Sequence, residues 1–410
     1  MYVPSRSIGA LALLALVTPS HAQDIVVESG EILSFNTNIG PLRLDNLTIE
    51  AGGAMIARGR APLRIYARRS IVIDGVLDLS GSASMGVTTL NTANIPELGS
   101  DGGPAGGRGG IASRLTSQST PEGFPGGGTG PQSRGGIGGE TGFQFILGAA
   151  HERRGAGGGG GALGPDQPVS NDPDADVNVG LVAQAGVDGS SLAFGANSQA
   201  VTPRAGRSGT TPFMDGDADN DFFGRRREAS GAIVHGELAA PIAGRGGGAG
   251  GDALPSATFP SAPFTPSSDE KGAGGGGGGG LAILQAPRVS IGGLGAIRAN
   301  GGDGGGGENT LFFDRIGGGS GAGSGGFLLL QARILDLSAA GPDSLSARGG
   351  HGGPGANNQY ADVGAGGNGG PGLIQLHLPR GIDGILLPPG RTLDDVTTPR
   401  AHVLLPERGL

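Results

Sequence analysis

Asp215-Gly216-Asp217-Ala218-Asp219-Asn220-Asp221 is the stretch of this 410-residue chain whose side chains recur at a spacing suited to chemistry. Alternating aspartates can aim several carboxylate oxygens at one hard cation, as calcium-binding loops do. Counted from Asp217 as first ligand, Asp219 falls third, Asp221 fifth and Glu228 twelfth, but Phe222 holds the sixth position, where the sharp turn wants glycine. Two readings stay open. One is a Ca2+ site drawn from Asp215, Asp217, Asp219, Asp221 and Glu228; the other is a solvated acidic loop balanced by Arg225-Arg226-Arg227. Asp172, Asp174 and Asp176 form a weaker copy.

Other reactive constellations are thin. His151, His235, His351, His377 and His402 are dispersed, with no two at metal-ligand spacing. Cysteine is absent, so thiol chemistry and disulfides are excluded. Sugar cleavage needs paired carboxylates on one face. The pairs Asp74 and Asp78, and Asp336 and Asp343, are tied to no second acidic cluster. Tryptophan is missing and tyrosine occurs only at positions 2, 66 and 360, so sugar-stacking platforms are scarce. Ser320 lies in a glycine tract and not in a nucleophile elbow. Lys271 belongs to no phosphate-binding loop, and the many G-x-G-x-x-G matches sit between no strand and helix. The residues point to no catalytic site, and Ca2+ is the sole cofactor they suggest.

The elements around these residues are marked by glycine. Glycine (90) and proline (28) make up 118 of 410 residues, the range of low-complexity chains, yet net charge is only −8 and apolar segments are distinct. A mildly acidic chain with scattered arginines and one lysine is a poor polyanion binder, which argues against nucleic acid as a partner. Residues 1–22 carry Arg6, a short apolar run from Ile8 to Val17, and small residues before Gln23, the layout of a secretory signal peptide cleaved after Ala22. No later segment is apolar enough to span a membrane, so the expected locations are the periplasm, the outer surface or the medium.

Self-similarity is the strongest organising signal. Gly280-Leu281-Ala282-Ile283-Leu284-Gln285-Ala286, Gly326-Phe327-Leu328-Leu329-Leu330-Gln331-Ala332 and Gly372-Leu373-Ile374-Gln375-Leu376-His377-Leu378 each begin 46 residues after the last. In the first two units a second apolar run and a short third strand follow, at Ala296–Ala299 and Ser344–Ala347, and then a glycine-rich excursion. Leu63–Gly81 reads the same way without that excursion. Alternation over three to five residues, with no helical period, predicts an all-β chain.

Short strands in units that cannot bury their apolar residues alone predict a right-handed parallel β-helix, or solenoid, with long Gly/Pro-rich excursions; a β-sandwich is the alternative. The expected divisions are a signal (1–22), N-terminal coils (23–98), Gly/Pro/Asp-rich loops with scattered coils (99–272), glycine-rich repeats (273–380) and a tail (381–410). The glycine tracts 155–161 and 274–280 admit two readings, flexible loop or polyproline-II-like segments packed side by side.

On Gly274 to Gly307, Gly317 to Gly353 and Gly364 to Leu378, with an echo at Ala61 to Gly81, the chain resembles the glycine-rich parallel β-helix (PGRS-like) surface proteins of Gram-negative bacteria. That resemblance implies an envelope or extracellular location and a structural or adhesive role, and it brings no catalytic residue. The expectation is an exported adhesive protein, not an enzyme, with cell-surface glycan or envelope components as partners. A carbohydrate-active enzyme or glycan-binding module is the alternative.

Overall fold

The computed structural model describes residues 23–87, 97–112, 135–140, 144–145, 152–163, 183–188, 191–192, 199–200, 204–209, 220–236, 238–252, 271–308, 315–355 and 363–407. Residues 1–22, expected to be a signal peptide, and the aspartates at 172, 174 and 176 lie outside them.

Strand formation follows the two-residue period. In Leu63–Ile73, Leu63, Ile65 and Ala67 are buried while Arg64, Tyr66 and Arg68 point the other way, and the β-branched Ile71-Val72-Ile73 run completes the strand. Leu281–Ile291 departs from simple alternation, since its first four residues are all buried. A strand covered on both faces reads as a continuous apolar run.

Two large sheets result, and every pairing within them is parallel. The eight-stranded sheet runs Gln23–Val27, Leu42–Ile49, Leu63–Ile73, Leu281–Ile291, Phe327–Asp336, Leu373–His377 and His402–Leu404, with Ile385–Leu386 also paired to Phe327–Asp336. The six-stranded sheet runs Ile32–Asn36, Ala54–Arg58, Val76–Asp78, Ala296–Arg298, Leu345–Ser346 and Thr397–Thr398. The 46-residue offset reappears as register: Leu281 pairs with Phe327, and Phe327 with Leu373. One apolar cluster joins Ile65, Ile71, Leu284 and Leu330 of the larger sheet to Leu77, Ile297 and Leu345 of the smaller. Residues 381–407 add strands to both sheets.

The right-handed β-helix expected from the sequence is corrected. The strands form two open parallel sheets, of eight and six strands, that do not close on themselves, and helix is confined to short 3-10 turns among the described residues. The sandwich alternative fails too, because it needs antiparallel sheets. The physical reason lies in the glycine segments. The sequence pattern of short strands and glycine corners suits a closed coil, but here much of the glycine is spent on packed extended segments and not on corners or excursions.

Those segments form a layer of their own. N–H groups of Gly244, Gly247 and Gly250 donate to the carbonyls of Gly279, Gly276 and Ala273, each at 2.9 Å, so partners recur every three residues in antiparallel order. Gly248 N–H donates to Gly159 (2.9 Å), Gly321 N–H donates to Gly248 (2.8 Å), and Gly136 N–H donates to Gly246 (3.0 Å), which ties the same segment to three other neighbours. A period of three with bonds only between segments is that of the polyproline II helix. A Cβ on Gly248 would fall on the Ile137 carbonyl, so close approach demands glycine there. This layer roofs the outer face of the larger sheet: Leu163, Leu238 and Ile242 pack on Leu281, Ile283, Phe327, Leu329 and Leu373.

Candidate binding groove

The roof covers only the first part of each outward row. Outward positions along Leu281–Ile291 and Phe327–Asp336 run Leu281, Ile283, Gln285 and Phe327, Leu329, Gln331; the apolar members are buried and the glutamines are half-buried. At the polar end the strands bend. Gln285 pairs with Tyr66 but Arg288 pairs with Ser70, so 67–69 on one strand face 286–287 on the other. Leu44 and Asn46 show a similar slip against Ala67 and Ser70. An extra residue in one strand kinks it and re-aims side chains.

The bend cradles a groove of about 770 Å³ lined by Arg43, Tyr66, Arg68, Gln285, Gln331 and Arg333, with Pro287, Pro379 and Pro406 among its walls. Parallel register sets the ladder: Arg43 pairs with Tyr66, Tyr66 with Gln285, and Gln285 with Gln331. The Arg43 guanidinium carbon lies 5.0 Å from the Tyr66 ring centroid, a cation–π contact. Arg68 Nε donates to Asp45 Oδ1 at 2.5 Å, and that hydrogen bond holds the Asp45 carboxyl below its usual range. Gln331 Nε2 donates to the Glu407 carbonyl at 3.3 Å, whereas its Oε1 is buried with no hydrogen-bond partner among the described residues. No carboxylate is found among the described residues of the lining. Among its described lining residues there is thus no acid pair of the kind that glycoside hydrolysis uses.

None of these residues was singled out as a site from the sequence. The detectable signal was that Gln285 and Gln331 hold the same position of the 46-residue unit, but Arg43 and Tyr66 join them only through strand register.

Of the calcium candidates, Asp215, Asp217 and Asp219 lie outside the described residues. Asp221 is buried and lines a second cavity of about 740 Å³ with Arg226, Asp394, Arg400 and His402. Glu228 accepts from Arg226 Nε at 2.7 Å, on the hairpin formed by Arg225–Arg227 and Ile233–His235. Among the described residues no three acidic or imidazole side chains converge as a metal site. Of the four aspartates weighed as sugar-cleaving pairs, three have other partners: Asp336 binds Arg288 and Ser338, Asp343 binds Arg348 and Thr398, and Asp78 faces Arg58 at 3.8 Å.

His151 lies outside the described residues. His351 is exposed and sits 3.5 Å from Asp303, and His235 is exposed on its hairpin. His377 is fully buried beside Phe223, and burial holds its imidazole down at about 4 against an opposing hydrogen bond to the Leu405 backbone. His402 packs near Phe222 and is also lowered to about 4, by burial first and then by Arg226 and Arg400. Both are therefore neutral at pH 7.

Among the described residues no helix is long and apolar enough to cross a membrane. Compared with known proteins, the chain matches no family model, no curated protein and no solved structure.

Proposed function

We propose that this chain is an exported structural and adhesive protein of the cell envelope or extracellular space, and that it holds a glycan in the groove across its larger sheet. The observation that supports this reading best is the outward ladder of Arg43, Tyr66, Gln285 and Gln331. It places a cation, an aromatic ring and two amides in a row on rigidly paired backbone, with no carboxylate in the described lining. Rigid strands position such a row better than loops would. Hydrogen-bonding amides and a ring face are what a hydroxyl-rich polymer needs.

A glycan array probed with the purified protein tests the binding reading, and protease accessibility on intact cells tests the location. Retention on glycans, without release of new sugar ends on prolonged incubation, is the expected result. Release of sugar ends would replace the adhesive reading with an enzymatic one. Failure to bind any glycan would overturn the glycan assignment.

A further inference from the structure

Resting on the reading of the groove as a glycan site, we infer that its ligand is an acidic glycan, bearing carboxylate or sulfate groups along the chain. Three arginines, at positions 43, 68 and 333, line a groove whose described lining holds no acid. This local excess of positive charge stands out on a chain with net charge −8. Asp45 offsets Arg68, while Arg43 uses the flat face of its guanidinium on Tyr66, an arrangement that leaves the N–H edges for an in-plane anion.

The remaining groups favour a sugar as the bearer of that anion. Gln331 lines the groove, its side chain held in place by the hydrogen bond that its Nε2 donates to the Glu407 carbonyl at 3.3 Å. Gln285 adds an amide on the neighbouring strand, and Tyr66, with Arg43 over its ring, adds aromatic surface to the same lining. An acidic peptide would satisfy the arginines but supplies no hydroxyl at each unit. From the Leu42–Ile49 strand to the Phe327–Asp336 strand the groove crosses three strand spacings, about 14 Å, which suits an extended segment lying across the strands.

The test is calorimetric titration of the purified protein with polygalacturonate, dextran sulfate, neutral dextran and polyglutamate, at low and high salt. One or both acidic glycans should bind, weaken with salt, and bind at least about tenfold tighter than dextran. Arg333→Gln and Tyr66→Ala should each weaken binding about fivefold or more at unchanged melting temperature. Arg333 is exposed, so its variant keeps the test decisive should Tyr66→Ala fail to fold.

Dextran binding as tightly as the acidic glycans, without salt dependence, would overturn the anionic class and leave the glycan reading standing. Polyglutamate binding equally well would overturn the sugar. Absence of binding to all four, or binding indifferent to both substitutions, would overturn this inference, and the neutral members of the glycan array would then decide the broader reading separately.

Discussion

With the Gln375 amide oriented so that its N–H meets an acceptor and its oxygen a donor, the side chain answers both backbone polar groups of Phe223: its N–H donates to the Phe223 carbonyl at 3.0 Å and its oxygen accepts the Phe223 N–H at 2.8 Å. Gln375 is fully buried, and Phe223 in turn bridges to Leu238. One side chain thus stands in for a neighbouring strand and docks the 220–238 segment on the outer face of the larger sheet. Gln375→Ala would leave two backbone groups without partners, at a cost of about 2–3 kcal/mol. Denaturant unfolding should show that loss, and amide exchange at Phe223 should accelerate. Unchanged exchange there would show that the segment is held by its apolar contacts alone.

Glycine in the packed layer is required by space as well as by flexibility. A Cβ on Gly321 would land on the Gly159 carbonyl, and Gly159 is itself fixed by its N–H bond to Ile137 at 2.8 Å. Gly321→Ala should therefore destabilise by about 3 kcal/mol or more, since the obstacle is backbone and cannot change rotamer. At Gly293 the nearest atom to an added Cβ is the Ala339 carbonyl at 3.4 Å, an ordinary contact. Gly293→Ala should stay within about 1 kcal/mol of the parent in the same melting experiment. Equal effects at the two positions would contradict the packed layer.

Strands were legible in the sequence where one face is buried and the other is not, as in Leu63–Ile73. The shared unit of the segments around 281, 327 and 373 was legible as well, because in-register parallel pairing puts equivalent residues side by side. How the strands assemble was not legible. Leu63–Ile73 pairs with Leu281–Ile291 across some two hundred intervening residues, and no local pattern announces that junction. The role of residues such as Gly248 was hidden for a related reason. A glycine tract has the same composition whether it is solvated or hydrogen-bonded to neighbouring segments, and only the partners recurring every three residues distinguish the two. The groove needed both facts, the junction that brings Tyr66 beside Gln285 and the roof that ends just short of them.

The outer face of the larger sheet should behave as a second core. Phe327 is fully buried, against Leu163 and Ile242 of the roof among others. Phe327→Ala should cost about 3–5 kcal/mol. Leu294, 78% exposed, is the matched comparison, and Leu294→Ala should move stability by no more than about 0.5 kcal/mol. Calorimetric melting of the two variants measures the difference. A loss at Phe327 no larger than that at Leu294 would mean that the roof adds no stability.

Stability should fall on mild acidification, and the histidines give the window. His377 and His402 titrate at about 4 in the folded chain, against 6.5 for an unperturbed imidazole. A lowered folded value means that the unfolded chain binds more protons between those limits, so stability is full above about 6.5 and is lost as pH falls toward 4. The difference of about 2.5 units sets an upper limit of about 3 kcal/mol for each histidine, with His377, the more deeply buried, contributing the larger share. Carboxylates act lower. Asp336, held down first by the Ser338 hydroxyl, and Asp343, held down first by Thr398, lose their contribution only below the ordinary carboxyl value of 3.8. Unfolding measured from pH 7.5 to 4.5 should therefore show a decline that His377→Gln flattens, whereas Asp336→Asn leaves it in place. A decline of the same slope in His377→Gln would move its origin away from this imidazole.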